Sequence, residues 1–377
     1  MVSEVYVENI LKRDKRIFKK DYKDSQNPNL VKNKTISPKS SVPLVADFTE
    51  YSPLHNGHYH CMKTAKEHVP DGLFVAVVPG LFERSGRGLP YILPREVRAE
   101  IAVNVGADIV VEGPPMGIMG SGQYSLCLCK MFQALNTDYI PRGYNPSREF
   151  GDILKRISMG HAVVPKPYKI VDTTLHETVF KGKLAEDNYV ICSFSKSLNK
   201  IGFDFKDKFI FVPRIEGVSG TRIREAIVKN NLDSIKDMVP GETLRILKRE
   251  IGKNHAPLHN IRNTNEILKN ANSLSYDELS KLNFFTPELT QNIILHREEE
   301  PFTSLEEFLN IIPYGFSTHY KHRVLSILET KVNNDIISNY IETYPFNIRV
   351  LNYKNEHVLE DFKNKIINDN RRIKLWQ

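Results

Sequence analysis

The stretch Glu50-Tyr51-Ser52-Pro53-Leu54-His55-Asn56-Gly57-His58 constrains this 377-residue chain more than any other. Before it, Pro43–Phe48 is a short apolar run that predicts a buried strand. After it, Tyr59, Met62 and Ala65 recur at helical spacing with Lys63 and Lys66 on another face, which predicts a helix over residues 59–68. Strand, proline-containing turn and helix follow one another, with two histidines at the helix start. The free N–H groups of a helix N-terminus favour an anion. Gly57 lets a phosphate approach the backbone closely, and His55 and His58 add donors on the same side. Such an assembly suits a triphosphate under attack at its α-phosphorus, where charge builds on the equatorial oxygens.

A second stretch has the same local logic. Gly217-Val218-Ser219-Gly220-Thr221-Arg222-Ile223-Arg224-Glu225 follows an expected strand over 208–214 and opens an expected helix over 222–229. Ser219 or Thr221 can cap that helix. The N–H groups at Gly220 and beyond, the hydroxyls and Arg224 can hold the β- and γ-phosphates. Either motif alone could be an ordinary capped helix start; their order, separation and context agree. Together they resemble the H-x-G-H and I-S-x-T-x-I-R signatures of the HIGH-type nucleotidyltransferase superfamily, which includes small adenylyl- and cytidylyltransferases and class I aminoacyl-tRNA synthetases. The resemblance implies a Rossmann-like core, ATP as substrate and Mg2+ on its phosphates. It casts His55 and His58 as catalytic, and Gly57, Ser219, Gly220, Thr221 and Arg224 as phosphate-binding.

Between the motifs the chain alternates. Gly72–Val78 is a continuous apolar run, the mark of a parallel strand covered on both faces. It leads through Pro79-Gly80 into a loop over 81–90 that is rich in Gly and Arg. Ligands of open α/β sheets bind beyond the carboxyl ends of the strands, so Arg84 and Arg87 are either phosphate or RNA contacts or solvated loop arginines. A helix is expected over 95–105, closed by Gly106, then a strand over 107–112 and a helix within 116–135. This alternation predicts an α/β, doubly wound parallel sheet. A helix over 152–160 and a strand over 188–194 are expected next.

Residues 50–58, the Gly80…Phe82…Arg84 loop, and Arg98-Ala99 leading to Gly106-Ala107-Asp108-Ile109-Val110-Val111-Glu112-Gly113-Pro114 narrow the likeness. They resemble the tRNA(Met) cytidine acetate ligase family, whose runs read E-Y-N-P-F-H-N-G-H, G-N-F-x-Q-R-G, R-A and G-A-D-L-V-I-E-L-P. The resemblance spans roughly residues 44–250. It implies activation of acetate by ATP as acetyl-adenylate and acetyl transfer to the wobble cytidine of a tRNA. Glu50, Lys63, Gly80, Arg84 and Arg87 then become possible substrate or tRNA contacts around the mouth of the site. Ser52, Leu81 and Glu83 depart from the family letters, Leu93-Pro94-Arg95 replaces V-D-K, and Tyr139–Tyr144 stands in place of F-G-S-E. Another carboxylate or another acceptor therefore stays open. So do two alternatives: a plain small-molecule nucleotidyltransferase, and a non-catalytic RNA-binding protein on the same scaffold.

The formal charge of +7 suits an RNA or nucleotide partner without proving one. Cys61, Cys127, Cys129 and Cys192 form no C-x-x-C pair, so neither a zinc site nor a disulfide framework is expected, and no metal ligands are assigned. No apolar run of membrane-spanning length occurs, and a cytoplasmic protein is expected. Residues 1–40, with ten Lys or Arg against five Asp or Glu, are expected as a basic N-terminal extension, either touching RNA or solvated. Residues 41–252 would form the catalytic domain and 253–332 a mainly helical domain resembling paired helix–hairpin–helix units, either RNA-binding or structural. Residues 333–377 are expected as a C-terminal tail region ending in the basic run 371–374.

Overall fold

A computed structural model of the chain describes residues 2–27, 41–314, 317–366 and 372–376. Residues 28–40 of the expected basic extension, Gly315 and Phe316 of the expected helical domain and Arg371 of the basic run lie outside the described residues. The chain opens with α1 (Glu4–Ser25), whose N-cap Ser3 accepts from the Tyr6 amide. Its buried residues Val7, Ile10, Leu11, Asp14 and Phe18 form one helical stripe, so this part of the expected extension packs into the protein.

The core alternates as expected: β1 (Leu44–Phe48), α2 (Asn56–His68), β2 (Leu73–Pro79), α3 (Arg95–Val105), β3 (Ile109–Gly113) and α4 (Ser121–Ala134). Then come β4 (Ile140–Tyr144) and α5 (Arg148–Ser158). The strands β5 (Val163–Lys166), β6 (Lys169–Asp172) and β7 (Glu177–Lys181) form a separate antiparallel meander. After it follow α6 (Glu186–Lys200), β8 (Phe209–Pro213), α7 (Gly220–Val228) and α8 (Gly241–Gly252). The strand expected over 188–194 is instead part of α6. Its apolar run is continuous, but the buried positions Asn188, Ile191, Cys192, Ser195 and Leu198 recur every three or four residues, and Glu186 and Asp187 favour a helix start.

β1, β2 and β3 pair in parallel, and every residue in them is buried. Beyond β1, a parallel bridge between Val45 and Tyr139 joins β4, which pairs in parallel with β8. The spatial order β3-β2-β1-β4-β8 reverses between β1 and β4, the switch point where open α/β sheets bind ligands. Alternate residues feed two cores. Ala46, Val75, Val77 and Val111 face one side with α1, α4 and α6; Val45, Phe74, Ala76 and Val110 face the other with α2, α3, α7 and α8.

The second half is helical: α9 (Thr264–Ser273), α10 (Tyr276–Ser280), α11 (Pro287–Glu299), α12 (Leu305–Asn310), α13 (Thr318–Thr330) and α14 (Asn334–Thr343). The chain then returns to the core sheet. β9 (Asn347–Tyr353) pairs antiparallel with β3, α15 (Glu356–Ile366) follows, and β10 (Arg372–Leu375) pairs with β9. β9 and β10, inside the 333–377 stretch expected as a tail, thus complete the sheet edge.

Candidate active site

The turn from β1 into α2 places both histidines. His55 is the N-cap, and its Nδ1 accepts from the Gly57 amide at 3.2 Å. The His55 amide in turn donates to Nδ1 of His58 at 3.4 Å. The rings stack with centroids 3.7 Å apart. Because both Nδ1 atoms accept, each neutral ring carries its proton on Nε2, as a donor. A Cβ on Gly57 would lie 3.1 Å from Cε1 of His55, so the glycine makes room for the folded-back ring.

The second motif meets the first. Ser219 caps α7, accepting from the Arg222 amide. A Cβ on Gly220 would lie 3.1 Å from Nη1 of Arg224 and 3.5 Å from Nε2 of His55. Thr221 Oγ1 accepts from Nη2 of Arg224 at 3.1 Å. Two helix N-termini, two imidazole donors and one guanidinium therefore converge on a cleft of about 580 Å³. Burial, then Arg214 and Arg224, push His55 down to about 4. Burial, then His55 and the nearby arginines, push His58 well below its ordinary value. Both rings are neutral at pH 7.

This sets a pH dependence. Between about pH 6.5 and 4 the unfolded chain protonates its histidines while folded His55 stays neutral, so the unfolded state binds more protons. The contribution to stability is full above 6.5 and is lost as pH falls towards 4. We expect the thermal midpoint of the wild type to drop more steeply over that window than that of His55→Gln. A phosphate beside the rings reverses the shift, so nucleotide binding near pH 5.5 should take up protons. Calorimetry in two buffers of different ionisation enthalpy measures this; equal heats in both would refute it.

The other expected contacts divide. Glu50 lines the cleft, where its Oε1 accepts from the Gly86 amide at 3.0 Å. Arg87 also lines it and pairs with Glu186 at 2.6 Å. Lys63 does not; it is exposed on α2 and pairs with Glu67. Gly80 is buried away from the cleft, where a Cβ would fall 2.3 Å from Cδ of Arg95. Arg84 is 2% exposed and donates Nε and Nη2 to Glu329 on α13 at 2.9 and 2.8 Å. It joins the loop to the helical half and is turned away from ligand.

Sequence reasoning missed several cleft residues. Arg142 on β4 reaches across to β1, donating Nη1 to Phe48 O at 2.7 Å and to Asp47 at 3.2 Å. Burial pushes the Asp47 carboxyl up to about 7, with Arg142 pulling the other way. Among the described residues, Nε of Arg142 is buried without a hydrogen-bond partner. Tyr124 and Ser125 on α4, Ser193 on α6 and Arg323 on α13 line the opposite wall. Only Arg142 had a signal available: it lies where Tyr139–Tyr144 departs from the family letters. Among the described residues no cluster of His, Cys, Asp or Glu is arranged to hold a metal, and no helix is long and apolar enough to cross a membrane.

The turn over 283–287, inside the region 253–332 that resembles helix–hairpin–helix units, faces inward at Asn283 and Phe284. Asn283 donates to Ile118 O at 2.9 Å, Phe284 takes the positive φ of 69° that a glycine would favour, and Tyr320 donates to Phe284 O. This turn is occupied by protein contacts.

Comparison with known proteins agrees with this geometry. The HIGH Nucleotidyl Transferase family model matches residues 43–159, and a model for a cytidyltransferase-related C-terminal region matches 145–352. An uncharacterized protein of Methanocaldococcus jannaschii is 44% identical over 352 residues, covering 92% of this chain and 95% of its own. The tRNA(Met) cytidine acetate ligase of Kosmotoga olearia is 26% identical over 341 residues, covering 81% of this chain and 78% of its own. A crystal structure of Thermotoga maritima TmcAL, bound with alpha-thio ATP, shares the fold with a TM-score of 0.70 at 20% identity, covering 88% of this chain and 85% of that one. The chain belongs to the HIGH nucleotidyl transferase family and carries its cytidyltransferase-related C-terminal region.

Proposed function

We propose that the protein uses ATP to adenylate a small carboxylate, with acetate favoured, and passes the acyl group to the N4 amine of a tRNA wobble cytidine. The observation that carries the adenylyl step is the meeting of the two motifs at Gly220, beside Nε2 of His55 and Nη1 of Arg224. The acetate and tRNA halves rest on the likeness to the acetate ligases. A free carboxylate is inert towards an exocyclic amine, so it must first be activated. A carboxylate oxygen attacks the α-phosphorus, pyrophosphate leaves, and the amine then displaces AMP from the mixed anhydride. Positioning and charge stabilisation are the protein's share of such a step. The Nε2–H groups of His55 and His58 donate to the α-phosphate oxygens. Gly57 and the α7 start, with Ser219, Gly220, Thr221 and Arg224, hold the phosphates. Mg2+, when bound, would be held by the phosphates and would offset their charge.

Arg142 lines the cleft with its Nε unpaired, and in this reading its guanidinium holds the incoming carboxylate. Arg142→Gln should raise the KM for the carboxylate roughly tenfold or more, the worth of a hydrogen bond to a charged group, with nucleotide affinity unchanged. An unchanged carboxylate KM would remove this role. The reading as a whole is tested by ATP–pyrophosphate exchange over a panel of small carboxylates. Labelled acetate, ATP and total tRNA follow, with nucleoside mass analysis. Carboxylate-dependent exchange and N4-acetylcytidine are the expected results. Exchange driven only by a phosphorylated small molecule would overturn the acyl reading.

A further inference from the structure

The meander β5-β6-β7 stands outside the core sheet, and its register sets cations against each other. Lys166 lies opposite Lys169, and Lys169 opposite Lys181. Residues directly opposite in an antiparallel sheet share a face with Cβ atoms about 5 Å apart, and like charges there are destabilising. All three lysines are exposed, as is Lys183 just beyond β7. Among the described residues none of the four has an ion-pair partner. The acids of the meander sit at its other end, where Asp172 and Glu177 are both paired with Arg156.

Between Lys166 and Lys169 the turn presents Tyr168, 73% exposed, with Lys183 Nζ 5.6 Å from its ring centroid. The turn is held from behind by the Gly182 amide, which donates to Tyr168 O at 2.8 Å. A row of ammonium groups without ion-pair partners beside an exposed ring on an anchored turn matches a chain of phosphates bearing flat bases. A short segment joins the meander to the cleft: Lys183, against the Tyr168 ring, is three residues before Glu186, which lines the cleft, a span of at most about 11 Å along the chain.

We propose that this meander is an RNA-docking arm. Phosphates of an unpaired RNA segment lie along Lys166, Lys169 and Lys181, a base stacks on Tyr168, and the strand continues towards the cleft. The proposal rests on the reading of RNA as acceptor and places part of its binding surface outside the helical half.

The test uses the full chain and fluorescence anisotropy with two labelled probes, bulk tRNA and a short unstructured oligoribonucleotide. The combined Lys166→Glu, Lys169→Glu, Lys181→Glu variant should bind both probes at least about tenfold more weakly near 0.1 M salt. Its slope of log affinity against log salt should be shallower by roughly 2 to 3, from three lost phosphate contacts. Tyr168→Ala should weaken oligonucleotide binding roughly tenfold, the worth of one stacked base. Unchanged thermal midpoints report intact folding. Wild-type affinity and salt slope in the triple variant would overturn the proposal, as would wild-type binding to anionic vesicles but to neither RNA. Carboxylate-dependent exchange without arm-dependent RNA binding would sink the arm and leave adenylyl transfer standing. Arm-dependent RNA binding without exchange would do the reverse.

Discussion

His55→Ala and His58→Ala should each lower carboxylate-dependent ATP–pyrophosphate exchange by about 10²–10³-fold, the usual cost of removing one preorganised donor from a developing oxyanion. Each ring has its Nδ1 committed to a backbone amide, so Nε2–H is the proton it can offer. The rings are held by the start of α2 and by each other, so they need little reorganisation when charge develops. Their low pKa values make them neutral donors in the free protein. His55→Ala also removes the cap of α2, worth about 1 kcal/mol. A modest fall in thermal stability is therefore expected for it, well short of unfolding. His55→Asn supplies the control: asparagine is a good N-cap but is too short to replace the Nε2 donor. It should recover stability and leave exchange low. Near-wild-type exchange in both alanine variants would move the active site elsewhere.

What was legible in the sequence was local. β2 is an unbroken apolar run and β1 and β3 are apolar but for Asp47 and Glu112, and their burial on both faces follows from that. The histidine pair and the Ser219–Arg224 motif each sit within nine residues, so spacing alone places them at helix starts. Contacts set by topology were not legible. Arg142 becomes part of the cleft only because β4 lies next to β1, which no local pattern states. Arg84 reads like a loop cation until α13 brings Glu329, 245 positions away, against it. The same holds for residues 347–353: seven residues of ordinary strand character say nothing of pairing with β3. A chain ending near residue 252 would bare that edge and uncover Arg84 and Gly88. Loss of RNA binding by such a truncation would therefore report misfolding as readily as a lost RNA surface.

Glu329→Ala should be the most damaging single change outside the cleft. Its carboxylate is 1% exposed and accepts four bonds, two from Arg84, one from Arg262 and one from the Asn263 amide. Burial alone would raise its pKa, but Arg84 and Arg262 outweigh that and hold it below the usual range. Removing it strands two buried guanidinium groups. Breaking one such pair costs about 3–5 kcal/mol, so urea denaturation should show a large drop in the midpoint. Arg84→Met should cost less, because Glu329 keeps Arg262 and the Asn263 amide, and the methionine restores apolar volume. Lys63→Ala, at an exposed pair, should leave the midpoint unchanged.

The damage should also reach the cleft. The loop that Glu329 anchors through Arg84 is held again at Gly86 and Gly88: Arg323 Nε donates to Gly86 O at 2.8 Å, and Ser326 donates to Gly88 O at 3.1 Å. Gly88 sits at φ +77°, where a Cβ would fall 2.5 Å from the Arg323 amide nitrogen, so the loop fits α13 only as glycine. Gly86 in turn donates to Glu50, and Arg87 lines the cleft beside it. Under conditions where Glu329→Ala is still folded, it should therefore bind ATP more weakly than Arg84→Met does. If the Glu329→Ala midpoint matched that of Arg84→Met, the two arginines would not share one buried counter-charge, and the loop would be held by its backbone contacts alone.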